Sequence, residues 1–198
     1  MTPIVSEELR KYPLCYGVLL ASCVPLLLLT VGGLDSIEFL FLPPHSAGPS
    51  NDVQFQSFYG LWTTSFVHYT LGHFASNGLI WWFLARPLES RSRIELALLS
   101  VCVVAISNYN EWRMEGPDFG GLSGLAYGLL AYSLVLKQRG VAGAPHVDPI
   151  LAALMLLALP LAASGMVGQY ANYAHAAGLA VGAIAGFIGT SLYKEKLS

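Results

Sequence analysis

Ser123 sits between glycines in the run Gly120-Gly121-Leu122-Ser123-Gly124-Leu125-Ala126-Tyr127-Gly128. A serine hydroxyl is a weak nucleophile until a base within hydrogen-bond reach takes its proton. His175, in Ala174-His175-Ala176-Ala177-Gly178, is the best-placed base, because imidazole titrates near neutrality. Acyl transfer also needs donors for the oxyanion that develops in the transition state. His73 and Asn77 are four residues apart, on one face of a helix, and both side chains can donate. The Ser123 backbone N–H adds a third donor. No Asp or Glu falls inside an apolar segment at the depth of His175, and Asp118 lies in a loop. A Ser123–His175 dyad is therefore expected rather than a triad, with Tyr127 stacked on the imidazole.

Each residue alone has a plainer reading. A serine in a glycine-rich apolar helix usually serves packing, and a single histidine on an apolar face is usually a satisfied core residue. His68 falls on another side of a helix from His73, which suits a supporting contact. His68-xxxx-His73 is not the i, i+4 zinc pair and has no Glu beside it, so no metal is expected. His45 and His146 read as solvated loop residues, and Trp81 and Trp82 as anchors at the membrane interface.

Composition fixes what must position these groups. The 198 residues suit one domain, 55% hydrophobic and 11% charged, against about 25% charged in soluble domains. With a mean hydropathy of +0.56, the chain reads as an all-α polytopic membrane protein. A net charge of −2 argues against a nucleic-acid partner. Cys15, Cys23 and Cys102 lie in apolar runs with no CxxC, and read as small hydrophobes.

Six apolar segments follow in order: Leu14–Leu34, Trp62–Leu84, Ile94–Ser107, Phe119–Leu136, Pro149–Met166 and Tyr173–Leu192. Residues 35–60 read as a long loop, with Ser36–Pro44 lying in the interface. Residues 110–118 read as a polar loop, and Val167–Asn172 as a short turn. The first segment is read as a retained span rather than a signal peptide, since it is long and no A-x-A site follows it. Six spans put both termini on one side, and nine of the ten Lys and Arg residues then share that side, with only Arg113 opposite. The positive-inside rule makes both termini cytoplasmic. Residues 1–13 become a cytoplasmic segment, 14–193 the membrane domain and 194–198 a cytoplasmic tail. In this topology His73, Asn77, Ser123 and His175 occupy one layer in the outer half of the membrane. Polar groups at such depth are functional candidates. Gly120, Gly124 and Gly128 in the fourth span and Gly178, Gly182 and Gly186 in the sixth form small-residue stripes for close packing.

The combination resembles the rhomboid intramembrane serine proteases. The matching pieces are His68-xxxx-His73-xxx-Asn77, Gly121-Leu122-Ser123-Gly124 with Tyr127 after it, and Ala174-His175-Ala176-Ala177-Gly178-xxx-Gly182. The likeness covers about residues 60–190 and is nearest to the compact six-helix bacterial forms. It implies a six-transmembrane-helix rhomboid-like bundle in the cell's inner (plasma) membrane, with no metal and no cofactor. Ser123 would be the nucleophile, His175 the base, and His73, Asn77 and the Ser123 amide the oxyanion donors. Gly121 and Gly124 flank the nucleophile, and Asn172 would line the site. The implied substrates are transmembrane proteins, cut near the outer membrane boundary among lipid. The family's first-loop Trp-Arg pair is absent, and Trp112-Arg113 lies in the third loop, between the third and fourth segments, instead. Two alternatives stay open: a rhombosortase that processes C-terminal sorting tails, and a relative that binds membrane helices without cutting them. A small transporter fits less well, since neither internal repeats nor a charged path is present.

Overall fold

Lipid offers no hydrogen bonds, so a chain that crosses it must satisfy its backbone internally. The computed structural model describes residues 3–46, 51–164 and 171–195, and among them the regular elements are all helical. In chain order they are α1 Pro3–Lys11, α2 Pro13–Gly32, α3 Asn51–Thr63, α4 Leu71–Arg91, α5 Arg93–Glu115, α6 Ser123–Gln138, α7 Pro149–Ala163 and α8 Asn172–Glu195. Three stretches, α2, α5 and Asn172–Thr190 of α8, are both long and apolar enough to cross a membrane. The other three core helices fall short for identifiable reasons. α4 has 21 residues but carries His73, Asn77, Arg86, Glu89 and Arg91. α6 has 16 residues, roughly 24 Å of helix against a hydrocarbon core of about 30 Å. It is buried almost all round, so protein rather than lipid sets its length. α7 is apolar but has only 15 residues.

Several boundaries depart from the sequence reading. Residues 3–11 are a helix, and its Glu8 meets Arg86 at 2.9 Å. Residues 35–60 are not a plain loop, because 3₁₀ turns at Leu34–Ser36 and Glu38–Leu40 lead to α3. The second span is broken: α3 ends at Thr63, a 3₁₀ turn covers Thr64–Phe66, and α4 begins at Leu71. α5 runs on to Glu115 through most of the expected polar loop. Its polar residues there are held by other elements rather than by water. Asn108 Nδ2 donates to Leu61 O at 2.7 Å and to Ser65 Oγ at 2.9 Å, and Trp112 Nε1 donates to Pro43 O at 2.7 Å. Trp112 thus ties α5 to the segment between α2 and α3. Trp81 is not an interface anchor: it is 1% exposed and donates its indole N–H to Cys15 O at 3.1 Å. Trp82 packs edge-on to Tyr12 and Tyr16. Of the expected turn Val167–Asn172, only residues 171–172 are among the described ones.

α6 and α8 form the centre of the bundle. A Cβ on Gly178 would collide with Gly124 O, and one on Gly182 with Gly128 O. The two backbones touch directly, which only glycine allows. Gly120 lies outside α6 and takes no part in this stripe; a Cβ there would meet Val67 O at 2.8 Å instead. At the other side of the bundle, Glu89 accepts the N–H groups of Leu14 and Cys15, each at 2.8 Å. It supplies the cap that Tyr12 does not give α2.

Because the obstacle at Gly182 is backbone, it cannot swing aside. Gly182→Val is expected to cost about 3 kcal/mol or more, at or beyond the usual range for overpacking. Thermal unfolding in detergent micelles measures this. An unchanged melting temperature would show that α6 and α8 are not in backbone contact.

Candidate active site

The segment between α5 and α6 shapes the site. Gly116 (φ 96°) and Gly121 (φ 106°) adopt left-handed backbone that side-chain-bearing residues rarely take. The Gly121 N–H points to Thr64 O at 3.4 Å, so this segment presses on the link between α3 and α4. Ser123 follows as the first residue of α6, capped by no side chain. Its own N–H is therefore among the first-turn amides that lack a partner within the helix.

His175 lies one turn into α8, 5% exposed, with Nε2 2.8 Å from Ser123 Oγ. That separation is within the range at which a base takes a hydroxyl proton. The Tyr127 ring lies 4.7 Å from the imidazole, centroid to centroid, tilted by 38°. Its hydroxyl donates to Met155 O at 2.7 Å, which ties α7 to the site. Nδ1 of His175 and Oδ1 of Asn172 are both buried and, among the described residues, neither has a hydrogen-bond partner. The two residues are one helical turn apart.

His73 and Asn77 face the same cavity as Ser123 from α4. His73 lies in the first turn of α4, where its N–H is capped by Thr70 Oγ1 at 3.1 Å. Asn77, one turn on, uses one amide hydrogen on His73 O at 3.0 Å, which leaves the other to offer. A Cβ on Gly121 would be 2.8 Å from His73 Nε2 and 3.6 Å from Asn77 Nδ2. Both nitrogens thus converge on the backbone just ahead of Ser123. Gly124, by contrast, faces Ser107 and Ala174 O, and serves the packing of α6. His73, Asn77, Ser123, Tyr127 and His175 line one cavity of about 410 Å³, closed on its other side by apolar residues of α7.

His68 belongs elsewhere. It is expected on one helix with His73 but lies in the non-helical link before α4. It is fully buried, with Nδ1 3.1 Å from Phe66 O and its ring edge-on to His73 at 4.9 Å. It does not line the cavity. His45 is exposed but packs edge-on to Trp112 at 4.5 Å. Among the described residues, no three His, Cys, Asp or Glu side chains gather as metal ligands would.

One residue near the site escapes the sequence reading. Glu111 is buried in α5, at the depth where no acid is expected, and accepts the Ala174 N–H at 2.8 Å. Ser107, Asn108 and Glu111 keep a helical i, i+1, i+4 spacing that continues the buried face of Val103 and Val104. That periodicity was the available signal.

Comparison with known proteins bears on the whole arrangement. Residues 56–192 match the family model of the Rhomboid domain. The chain is 30% identical over 183 residues to the rhomboid protease GlpG of Salmonella paratyphi A (strain ATCC 9150 / SARB42). It is likewise 30% identical over 179 residues to the protein of that name from Serratia proteamaculans (strain 568). These alignments take in 91% and 88% of this chain but only 64% and 62% of the relatives' length.

The site geometry makes Gly121 irreplaceable. Gly121→Ala adds a Cβ against His73 Nε2 on backbone that alanine disfavours. It is expected to slow the reaction of Ser123 with a fluorophosphonate at least about tenfold, following the loss of a positioned donor. Helix content by circular dichroism should stay at the wild-type value. Wild-type reactivity in this variant would mean that His73 does not face Ser123.

Proposed function

We propose, on the premise that the chain belongs to the rhomboid family, that this integral membrane protein is a serine endopeptidase cutting transmembrane segments of other proteins. The observation that carries the reading is the 2.8 Å contact between Ser123 Oγ and His175 Nε2, inside a cavity between helices. Nε2 takes the hydroxyl proton as Oγ attacks the scissile carbonyl carbon. The carbonyl oxygen becomes an oxyanion, held by the Ser123 N–H, His73 and Asn77. His175 then gives its proton to the leaving amine, the peptide C–N bond breaks, and an acyl-enzyme on Ser123 remains. Water, deprotonated by the same imidazole, hydrolyses that ester. Tyr127 packs on the face of the ring, Asn172 lies one turn before His175 at the start of α8 and not among the residues that line the cavity, and no cofactor takes part.

The six-span topology belongs to this proposal. α2, α4, α5, α6, α7 and α8 would cross the membrane, with both termini cytoplasmic as the basic residues ask. Ser123 then opens α6 at its outer end, so cleavage falls near the outer face of the cell's inner membrane. An intact helix hides its carbonyls, so the substrate must unwind locally to present one. The apolar wall of the cavity suits a segment arriving from lipid.

Ser123→Ala and His175→Ala are each expected to abolish cleavage of a model transmembrane substrate in proteoliposomes while the protein still folds. His73→Ala and Asn77→Ala should lower kcat by about 10²–10³ with KM little changed. Cleavage by Ser123→Ala would sink the protease reading. A defect confined to KM in both donor variants would reassign them to substrate contact.

A further inference from the structure

Glu111 has no part in the mechanism above, yet it is an acid 2% exposed, in the last turns of α5. It accepts the Ala174 N–H across 63 positions of sequence and also the N–H of the neighbouring Tyr173. Ala174 directly precedes His175 in the first turn of α8, which begins at Asn172. First-turn amides lack partners in their own helix, and a carboxylate there gains both the bond and the helix dipole. The cap normally comes from the residue preceding the helix. Here that residue is Ala171, which has no acceptor in its side chain. Asn172 does not substitute, since its Oδ1 makes no bond among the described residues.

The imidazole needs this help for two reasons. In a triad, an acid on Nδ1 would hold the ring; here Nδ1 has no such partner among the described residues. The ring is placed by Tyr127 on its face and by the backbone that carries it. The second reason lies in the packing. Glycine-to-glycine contact between α6 and α8 sets how close the helices come. Smooth glycine faces resist sliding or rotation only weakly, whereas a hydrogen bond is directional.

We propose that Glu111 is a positioning residue: its bond to Ala174 fixes the first turn of α8 in register, so that His175 Nε2 stays on Ser123 Oγ. The inference rests on the dyad reading of the site. Displacements of about 1 Å can cost about 10² in rate, so a directional tether of this kind has kinetic consequences.

The test uses the full chain in detergent micelles, with Glu111→Gln and Glu111→Asp beside the wild type. Gln keeps an acceptor oxygen at the same reach. Asp keeps the charge but withdraws it by one methylene. Fluorophosphonate labelling of Ser123 and steady-state cleavage are measured on each, with melting temperature as the check on folding. Glu111→Gln should keep at least about half of kcat, whereas Glu111→Asp should lose about tenfold in kcat and in labelling rate. KM should stay within about twofold and melting within a few degrees in both, a split that mere destabilisation does not give. Wild-type kcat in Glu111→Asp, or an equal loss in Glu111→Gln, overturns the proposal while the dyad stands. A wild type whose Ser123 is not labelled overturns the dyad reading and this inference with it.

Discussion

Backbone contact between α6 and α8 is the constraint on which the rest of the structure depends. Ser123 opens one of these helices and His175 lies one turn into the other, so their separation is set by how closely the two axes approach. Gly124 against Gly178 and Gly128 against Gly182 bring that approach to the limit that chain geometry allows. The side chains at the end of the pair can then meet at 2.8 Å without an extended or strained reach. The same closeness leaves α6 buried almost all round. That explains why a helix too short to match the hydrocarbon core is stable at the bundle's centre.

A second device recurs at two places. α2 and α8 both start without a side-chain cap from the preceding residue, Tyr12 in one case and Ala171 in the other. Each is met by a buried glutamate from a neighbouring helix: Glu89 of α4 on Leu14 and Cys15, and Glu111 of α5 on Ala174. Buried carboxylates are rare because desolvation is costly. A helix end away from water leaves amides with the same problem, and placing one against the other relieves both. The two glutamates also stitch separate helices together, so capping and tertiary packing become one interaction.

Local patterns carried much of this into the sequence. The glycines around Ser123, the i, i+4 pair His73 and Asn77, and the glycine stripe after His175 each specify a face. Those faces suffice to place the four side chains in one layer. The apolar segments likewise marked the helices, though among the described residues only three are long and apolar enough to be recognised as spans by that measure alone. What the sequence hid depends on tertiary partners. Apolarity alone joined α3 to α4, because the break at Thr64–Phe66 is held by contacts from Asn108 and the Gly120–Gly121 segment. His68 was displaced with it. Polarity alone ended α5 early, because Asn108 and Glu111 look solvated until Ser65 and Ala174 are seen to receive them. Trp81 looked like an interface anchor because its partner, Cys15 O, is 66 positions away.

In the proposed mechanism Ser123 is an activated nucleophile and His175 its base. Peptide mapping by mass spectrometry after exposure of the micellar protein to a fluorophosphonate tests it most directly. A single adduct is expected, on Ser123, that disappears when His175 is replaced by alanine. An adduct on any other serine, or a Ser123 adduct that forms equally well without His175, would contradict it.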